Sequence, residues 1–194
     1  YATKHADEID VLNISIENSN SPALNNAIKE AIKAGITVVV AAGNYGTDAS
    51  SSSPANSPDV LAVSAIGDSD GKCGSGGPPI EGTRGEIADD SFAFFSNFGP
   101  SVKMSAPGVE IFSTFNGTSY ALDSGTSMAA PHVTGAAALF KAQFPDASPA
   151  EVISNITSSG TLPGAACQGG PGGYFTGDAD GLNEPLLIRE FRPR

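Results

Sequence analysis

Val11-Leu12-Asn13-Ile14-Ser15-Ile16, the span from Ser21 to Gly35, and Ile36-Thr37-Val38-Val39-Val40-Ala41 are the pieces on which the fold turns. The first is a short apolar run with frequent β-branched residues, closed by the polar, turn-prone Glu17 to Ser21; this is the pattern of a buried strand and a loop. Ser21 offers a helix N-cap with Pro22 at the first helical position. Leu24, Ala27, Ile28, Ala31 and Ile32 then share one face until Gly35 ends the helix. Ile36 to Ala41 is apolar nearly throughout, as a strand covered on both faces must be. Strand, helix and strand in about 30 residues make a βαβ unit, whose right-handed crossover sets the strands parallel. The predicted class is α/β with a parallel sheet.

Outward from this unit, Gly43 to Asp59 is a Ser/Gly/Asn/Pro-rich loop and Val60 to Ile66 a further strand. Residues 67–91 show no useful periodicity and read as a surface insert. Phe92 to Ser113 alternates short apolar pieces with turns. From Ser127 the pattern changes to a small-residue helical face of Ala129, Val133, Ala136, Ala137 and Phe140 that runs to Pro145. Ser148, Pro149 and Glu151 predict a capping box opening another helix.

The 194 residues carry 10 Lys+Arg against 21 Asp+Glu, a net charge of −11, and 40% are hydrophobic. That suffices for one domain with a core and is too little for two ordinary ones. The longest apolar runs, Val38 to Ala42 and Ala136 to Phe140, fall far short of the roughly 20 residues that span a bilayer. No membrane partner is expected. A strongly acidic chain without Lys/Arg clusters repels a phosphate backbone, so no nucleic-acid partner is expected either. The acidic, cysteine-poor balance is compatible with secretion. Tyr1 is preceded by no Met and followed by no basic-then-apolar leader, so the chain reads as starting inside something longer.

The chemistry concentrates in Gly125-Thr126-Ser127-Met128-Ala129-Ala130-Pro131-His132-Val133, where a loop or strand gives way to the small-residue helix. A serine at a helix N-terminus has a main-chain N–H unbonded within the helix and the positive end of the dipole behind it. Its hydroxyl can attack a carbonyl while that N–H holds the oxyanion, and small neighbours let a substrate backbone approach. The bland alternative is a serine that merely caps a helix.

This string resembles the nucleophile motif of the subtilisin-like serine proteases, the subtilases of peptidase family S8, and the resemblance continues along the chain in order. Asp10-Val11-Leu12-Asn13-Ile14-Ser15 is similar to the family's substrate-flanking strand, and Val39-Val40-Ala41-Ala42-Gly43-Asn44 to the strand ending in its oxyanion asparagine. Ser53-Pro54-Ala55, Phe95-Ser96-Asn97-Phe98-Gly99, Ala106-Pro107-Gly108 and Asp180-Gly181-Leu182-Asn183 match further family segments. The resemblance implies a three-layer α/β/α subtilisin-like fold, incomplete at the N-terminus, with residues 1–194 the C-terminal portion of one catalytic domain. It implies Ser127 as nucleophile and Asn44 as side-chain oxyanion donor, paired with the Ser127 N–H. Ser15, Ile16 and Glu17, with Ala41, Ala42 and Gly43, would flank a polypeptide substrate. Ala41-Ala42-Gly43 implies a broad, apolar pocket for the residue before the scissile bond. Glu17 stands where the family usually has glycine; its carboxylate either crowds that cleft and favours basic side chains or turns to solvent.

The family order is Asp, His, Ser, with the first two in D-[ST]-G and H-G-T-H segments. Neither precedes Val11. Asp123-Ser124-Gly125 fits the letters but abuts the nucleophile, His132 matches a structural position of the motif, and His5 reads as a surface helix residue. The implied function is a secreted serine endopeptidase acting through an acyl-enzyme on Ser127, with base and acid supplied by a missing N-terminal segment. The 194 residues alone are expected to be inactive and to expose unpaired sheet edges. The alternative is a non-catalytic subtilase-like α/β module that binds peptide; nucleotide binding through Gly43-Asn44-Tyr45-Gly46 lacks the full glycine pattern. No cofactor is needed for the chemistry and no metal ligand is assigned, while structural calcium is left open. One family calcium site would use the carbonyls of Pro58 and Val60 and an aspartate where this chain has Lys103, whose charge would compete with the ion. Asp68-Ser69-Asp70-Gly71 and Asp178-Ala179-Asp180-Gly181 read as Asp-Gly turns or as oxygen-rich calcium loops. Cys73 and Cys167 are either bridged or free. Asn116 and Asn155 head glycosylation sequons.

Overall fold

The structure, a computed structural model, describes residues 1–82, 84–165, 174–182 and 184–187. In chain order the elements are β1 (Val11–Ile14), β2 (Asn18–Ser19), α1 (Pro22–Lys33), β3 (Thr37–Ala41), β4 (Ser52–Ser53), β5 (Leu61–Gly67), β6 (Ile80–Gly82), β7 (Gly85–Ile87), β8 (Ser91–Phe92), β9 (Val102–Pro107), β10 (Ile111–Thr114), β11 (Tyr120–Asp123), α2 (Thr126–Gln143) and α3 (Pro149–Ser159).

The βαβ unit forms as its pattern predicts. Ser21 Oγ accepts from the Leu24 N–H at 3.4 Å with Pro22 in the first turn, so α1 starts where the cap requires. β1 and β3 pair in parallel, Val11 opposite Thr37 and Ile14 opposite Val40. β3 pairs in parallel with β5, and β5 with β9; β8 adds a short antiparallel piece at the end of β5. Among the described strands β1 pairs with β3 alone, and its Val11, Leu12 and Ile14 are only half-buried.

Alternation along β3 and β5 explains the layering. Val39, Ala41, Leu61, Val63 and Ala65 pack with Ala129, Val133, Ala137 and Phe140 of α2 and Val152 and Ile156 of α3. Val38, Val40 and Ala62 face the other way, against Ile28 and Ala31 of α1. This is the expected α/β/α sandwich, and it accounts for the unbroken apolar run of β3, since both faces are covered. Each such valine contributes about 1.5–3 kcal/mol by burial. α3 opens with the predicted capping box, Ser148 Oγ accepting from the Glu151 N–H and Glu151 Oε2 from the Ser148 N–H.

The 67–91 stretch, expected as a surface insert, carries structure that its lack of periodicity did not show. It contains the β6–β7 hairpin, with Ile80 opposite Ile87, and buries Ile87 in the α2-side core. Its apolar residues are single and widely spaced, so no period betrays them. Arg84 reaches back from it, its Nε donating to the Ser124 carbonyl at 3.1 Å and its guanidinium lying 5.2 Å from the Phe95 ring centre.

Candidate active site

The parallel strands β1 and β3 end side by side, and α2 begins against both ends. Ligand sites of open α/β sheets form at this carboxyl edge. Ser127 is the second residue of α2. The Met128 and Ala129 N–H groups bond to Gly125 O, whereas the Ser127 N–H, one step earlier, has no acceptor within the helix. Pro131 lies inside α2 and has no N–H to offer the Ser127 carbonyl four residues back. That carbonyl accepts from Ser15 Oγ at 2.9 Å instead, while Ser127 Oγ donates to the Ser15 carbonyl at 3.4 Å. The proline that interrupts the helix ladder thus frees the acceptor that ties α2 to the end of β1.

Asn44 follows β3 and is held from two sides. Its Oδ1 accepts from the Thr126 N–H at 2.8 Å and the Thr126 hydroxyl at 3.2 Å, and Thr126 Oγ1 in turn accepts from the Gly43 N–H at 3.0 Å. With Oδ1 committed, the amide NH₂ of Asn44 makes no hydrogen bond among the described residues and remains a donor beside Ser127. The fully buried Thr126 is a positioning residue the sequence reading overlooked. Its signal was there, a hydroxyl with one polar side immediately before the nucleophile candidate.

Glu17 does not turn to solvent. Its Oε2 accepts from the Asn44 main-chain N–H at 2.9 Å and its Oε1 from Asn97 Nδ2 at 2.7 Å. The carboxylate lies between the two segments, 15–17 and 41–43, expected to flank substrate. A Cβ on residue 43 would overlap both Glu17 Oε1 and Asn97 Nδ2, and Gly43 also has φ +109°, so only glycine fits there. Ala41 and Ala42, expected to wall an apolar pocket, are buried, and Asn97 Nδ2 links the Ala42 carbonyl to the Glu17 carboxylate. Asn97 completes the arrangement, with Nδ2 also donating to Ala42 O and Oδ1 accepting from the Tyr45 and Thr47 N–H groups. Asn97 is fully buried, and the sequence motif that contains it does not reveal this role. Ile16 is exposed beside this cleft.

No imidazole or carboxylate hydrogen-bonds the Ser127 hydroxyl among the described residues. His132 shares a cleft of about 380 Å³ with Ser127, Met128 and Phe112, but its Nδ1 bonds the Met128 carbonyl one helical turn back. His5 stacks on Tyr1, ring centres 4.1 Å apart, in the N-terminal turn. Asp123 ends β11 and accepts from its neighbour Ser124 N–H. After Asn44 the chain turns into a short 3₁₀ segment at Ala49–Ser51, not the helix start a phosphate loop needs.

The calcium expectations separate. Lys103 Nζ donates to the Pro58 carbonyl at 2.5 Å and the Val60 carbonyl at 2.7 Å, so an ammonium already serves this carbonyl pair, and burial lowers its pKa. In the Asp68, Asp70 and Asp89 group every carboxylate is used by its own loop. Asp68 accepts from Gly71, Asp70 from Lys72, and Asp89 from Ser69 and Gly77. Cys73 is disulfide-bonded, and Cys167 lies outside the described residues, as do Asn183 and residues 188–194. Asn116 is exposed at the β10–β11 turn, whereas Asn155 is half-buried within α3.

Ser127 at the start of α2 and Asn44 at the end of β3 thus meet through Thr126 at the carboxyl edge of the parallel sheet. Residues 1–169 match the peptidase S8 family model, described as Subtilase family. The chain belongs to the subtilases. It is 37% identical over 172 residues to "Subtilisin-like protease 10" of Arthroderma benhamiae, covering 86% of this chain and 27% of that protein. It is 40% identical over 187 residues to the "Extracellular protease" of Xanthomonas campestris pv. campestris, covering 90% and 29%. Among solved structures, a cold adapted subtilisin-like serine proteinase superposes with a TM-score of 0.72 at 28% identity, covering 96% of this chain and 58% of that one. The chain thus spans less than a third of the length of the two named relatives. No helix among the described residues is long and apolar enough to cross a membrane.

Proposed function

We propose that this chain is the C-terminal part of the catalytic domain of a secreted serine endopeptidase, contributing its nucleophile and oxyanion hole. The observation that carries the proposal is the Asn44–Thr126 clamp: it commits the amide oxygen of Asn44 and leaves its NH₂ as a donor beside Ser127. Ser127 Oγ attacks the scissile carbonyl carbon as a base takes the hydroxyl proton. The negative charge that develops on the carbonyl oxygen is met by Asn44 Nδ2–H and the Ser127 N–H, preorganised before it appears. Collapse breaks the C–N bond, the leaving amine takes the proton from the base, and water then hydrolyses the acyl-enzyme on Ser127. The base and its orienting acid come from residues outside this chain, in a segment that also covers the open side of β1. The half-buried Val11, Leu12 and Ile14 support that placement. Secretion is supported by the disulfide-bonded Cys73 and the relative named extracellular.

A fluorophosphonate probe tests the proposal. In the intact protein it should label Ser127, and in the 194-residue chain alone labelling should be far slower, since a serine hydroxyl without a base is a weak nucleophile. Absence of labelling in the intact protein would leave the peptide-binding, non-catalytic module as the correct reading.

Glu17 sets a preference for basic side chains before the scissile bond. An ion pair at about 4 Å near a protein surface has a gross attraction of about 4 kcal/mol, part of it lost to dehydration. Glu17→Gly should therefore shift the kcat/KM ratio of lysine or arginine over phenylalanine substrates toward phenylalanine by at least about tenfold, where tenfold is 1.4 kcal/mol. Matched peptide pairs measure the ratio; an unchanged value would place the carboxylate out of the substrate's reach.

A further inference from the structure

The segment 174–187 is fastened at both ends. Thr176 exchanges main-chain hydrogen bonds with Asp90 and Phe92, Leu186 with Thr161, and Leu187 bonds to Ser105. Phe175 and Leu186 are buried against Ile66 and Phe92. Between these anchors the chain turns back on itself, and the turn brings Asp178, Asp180 and Glu184 together with a carboxylate oxygen of each within 4.8 Å of the others.

Here two of the three carboxylates, those of Asp178 and Glu184, are not used by the loop. Glu184 is only 5% exposed, yet among the described residues neither of its oxygens has a hydrogen-bond partner, and both oxygens of Asp178 are likewise buried and without one. Asp180 accepts from the Leu182 N–H with Oδ1 and is exposed, leaving the group open to solvent on one side. An unpaired buried carboxylate costs several kcal/mol, and adjacent like charges add to the cost. The Asp68, Asp70 and Asp89 group, with the same count of carboxylates, carries no such debt because main-chain N–H groups fill it.

We propose that Asp178, Asp180 and Glu184 bind one hard divalent cation of the calcium type, which locks the 174–187 segment against the edge of the sheet. Calcium takes oxygen ligands at about 2.3–2.6 Å, so two ligands on opposite sides of the ion stand up to about 5 Å apart, and it accepts an irregular ligand set completed by water. A cation placed among them offsets the buried charge of Asp178 and Glu184 together. The site is separate from the Pro58 and Val60 carbonyls that Lys103 occupies.

The test uses the intact protein stripped of metal, titrated with calcium chloride by calorimetry and followed by thermal unfolding. Glu184→Gln should remove one calcium equivalent or weaken it at least tenfold, and Asp178→Asn should do the same. The metal-free Glu184→Gln protein should melt no lower than the metal-free parent, because the amide carries no buried charge, while its calcium-induced rise in Tm should shrink. Equal calcium stoichiometry and affinity in the parent and both variants would overturn the proposal, as would a parent that binds no calcium. The variants leave Ser127 and Asn44 untouched, so failure here is distinct from failure of the protease assignment.

Discussion

Replacing Ser127 by alanine in the intact protein should lower kcat on a peptide substrate by about 10⁶-fold, as the corresponding loss does in subtilisin, a relative. KM should change little, because the hydroxyl contributes to the transition state and hardly to ground-state binding. Among the described residues its one hydrogen bond is the long 3.4 Å one to the Ser15 carbonyl. Losing it should leave the melting temperature near the parent's, so the defect is chemical. Initial rates at saturating substrate, with the melt recorded on the same sample, check both halves. A variant keeping more than about a hundredth of parental kcat would show that the nucleophile lies elsewhere, since loss of the true nucleophile leaves only the oxyanion hole and binding.

Asn44→Ala should lower kcat by about 10²- to 10³-fold, or 2.7–4 kcal/mol, again the magnitude seen for this donor in subtilisin. Alanine also removes the acceptor that holds Thr126, so part of the loss could be mechanical. Asn44→Asp separates the two. Aspartate keeps an oxygen for the Thr126 N–H and hydroxyl but replaces the amide donor with a charge that repels the oxyanion. An aspartate variant at least as impaired in kcat as the alanine variant, with the stability of the parent, assigns the effect to the donor. Retained activity in the aspartate variant would reduce Asn44 to a clamp between β3 and α2.

The two residues differ in how plainly they could be read. Ser127 stands in an unbroken nine-residue string whose small residues and helix start are contiguous in the chain. Asn44 was readable because a strand of continuous apolar character ends at Gly43-Asn44, and the family resemblance supplied its role. Thr126 and Asn97 escaped notice because their work is done across the fold, 83 residues from Thr126 to Gly43 and 80 from Asn97 to Glu17. No local period encodes such a contact. The hairpin within the 67–91 insert was not legible for a related reason: one isoleucine on each short strand, of which only Ile87 is buried, makes no pattern.

What the sequence by itself determined is what neighbouring residues encode. The βαβ unit came from apolar spacing and a Ser-Pro cap, the capping box of α3 from three residues in four, and the family from motifs in order. The tertiary structure decided which of several open readings each side chain follows. Glu17 faces Asn44 and Asn97 rather than water, Asp68 and Asp89 are spent on turns, and Asp178 and Glu184 are left buried without partners. The physical reason is that the cost of a polar group depends on whether a partner meets it after folding. That partner is brought by the packing of distant segments, as Pro131 frees a carbonyl on α2 for a serine at the end of β1.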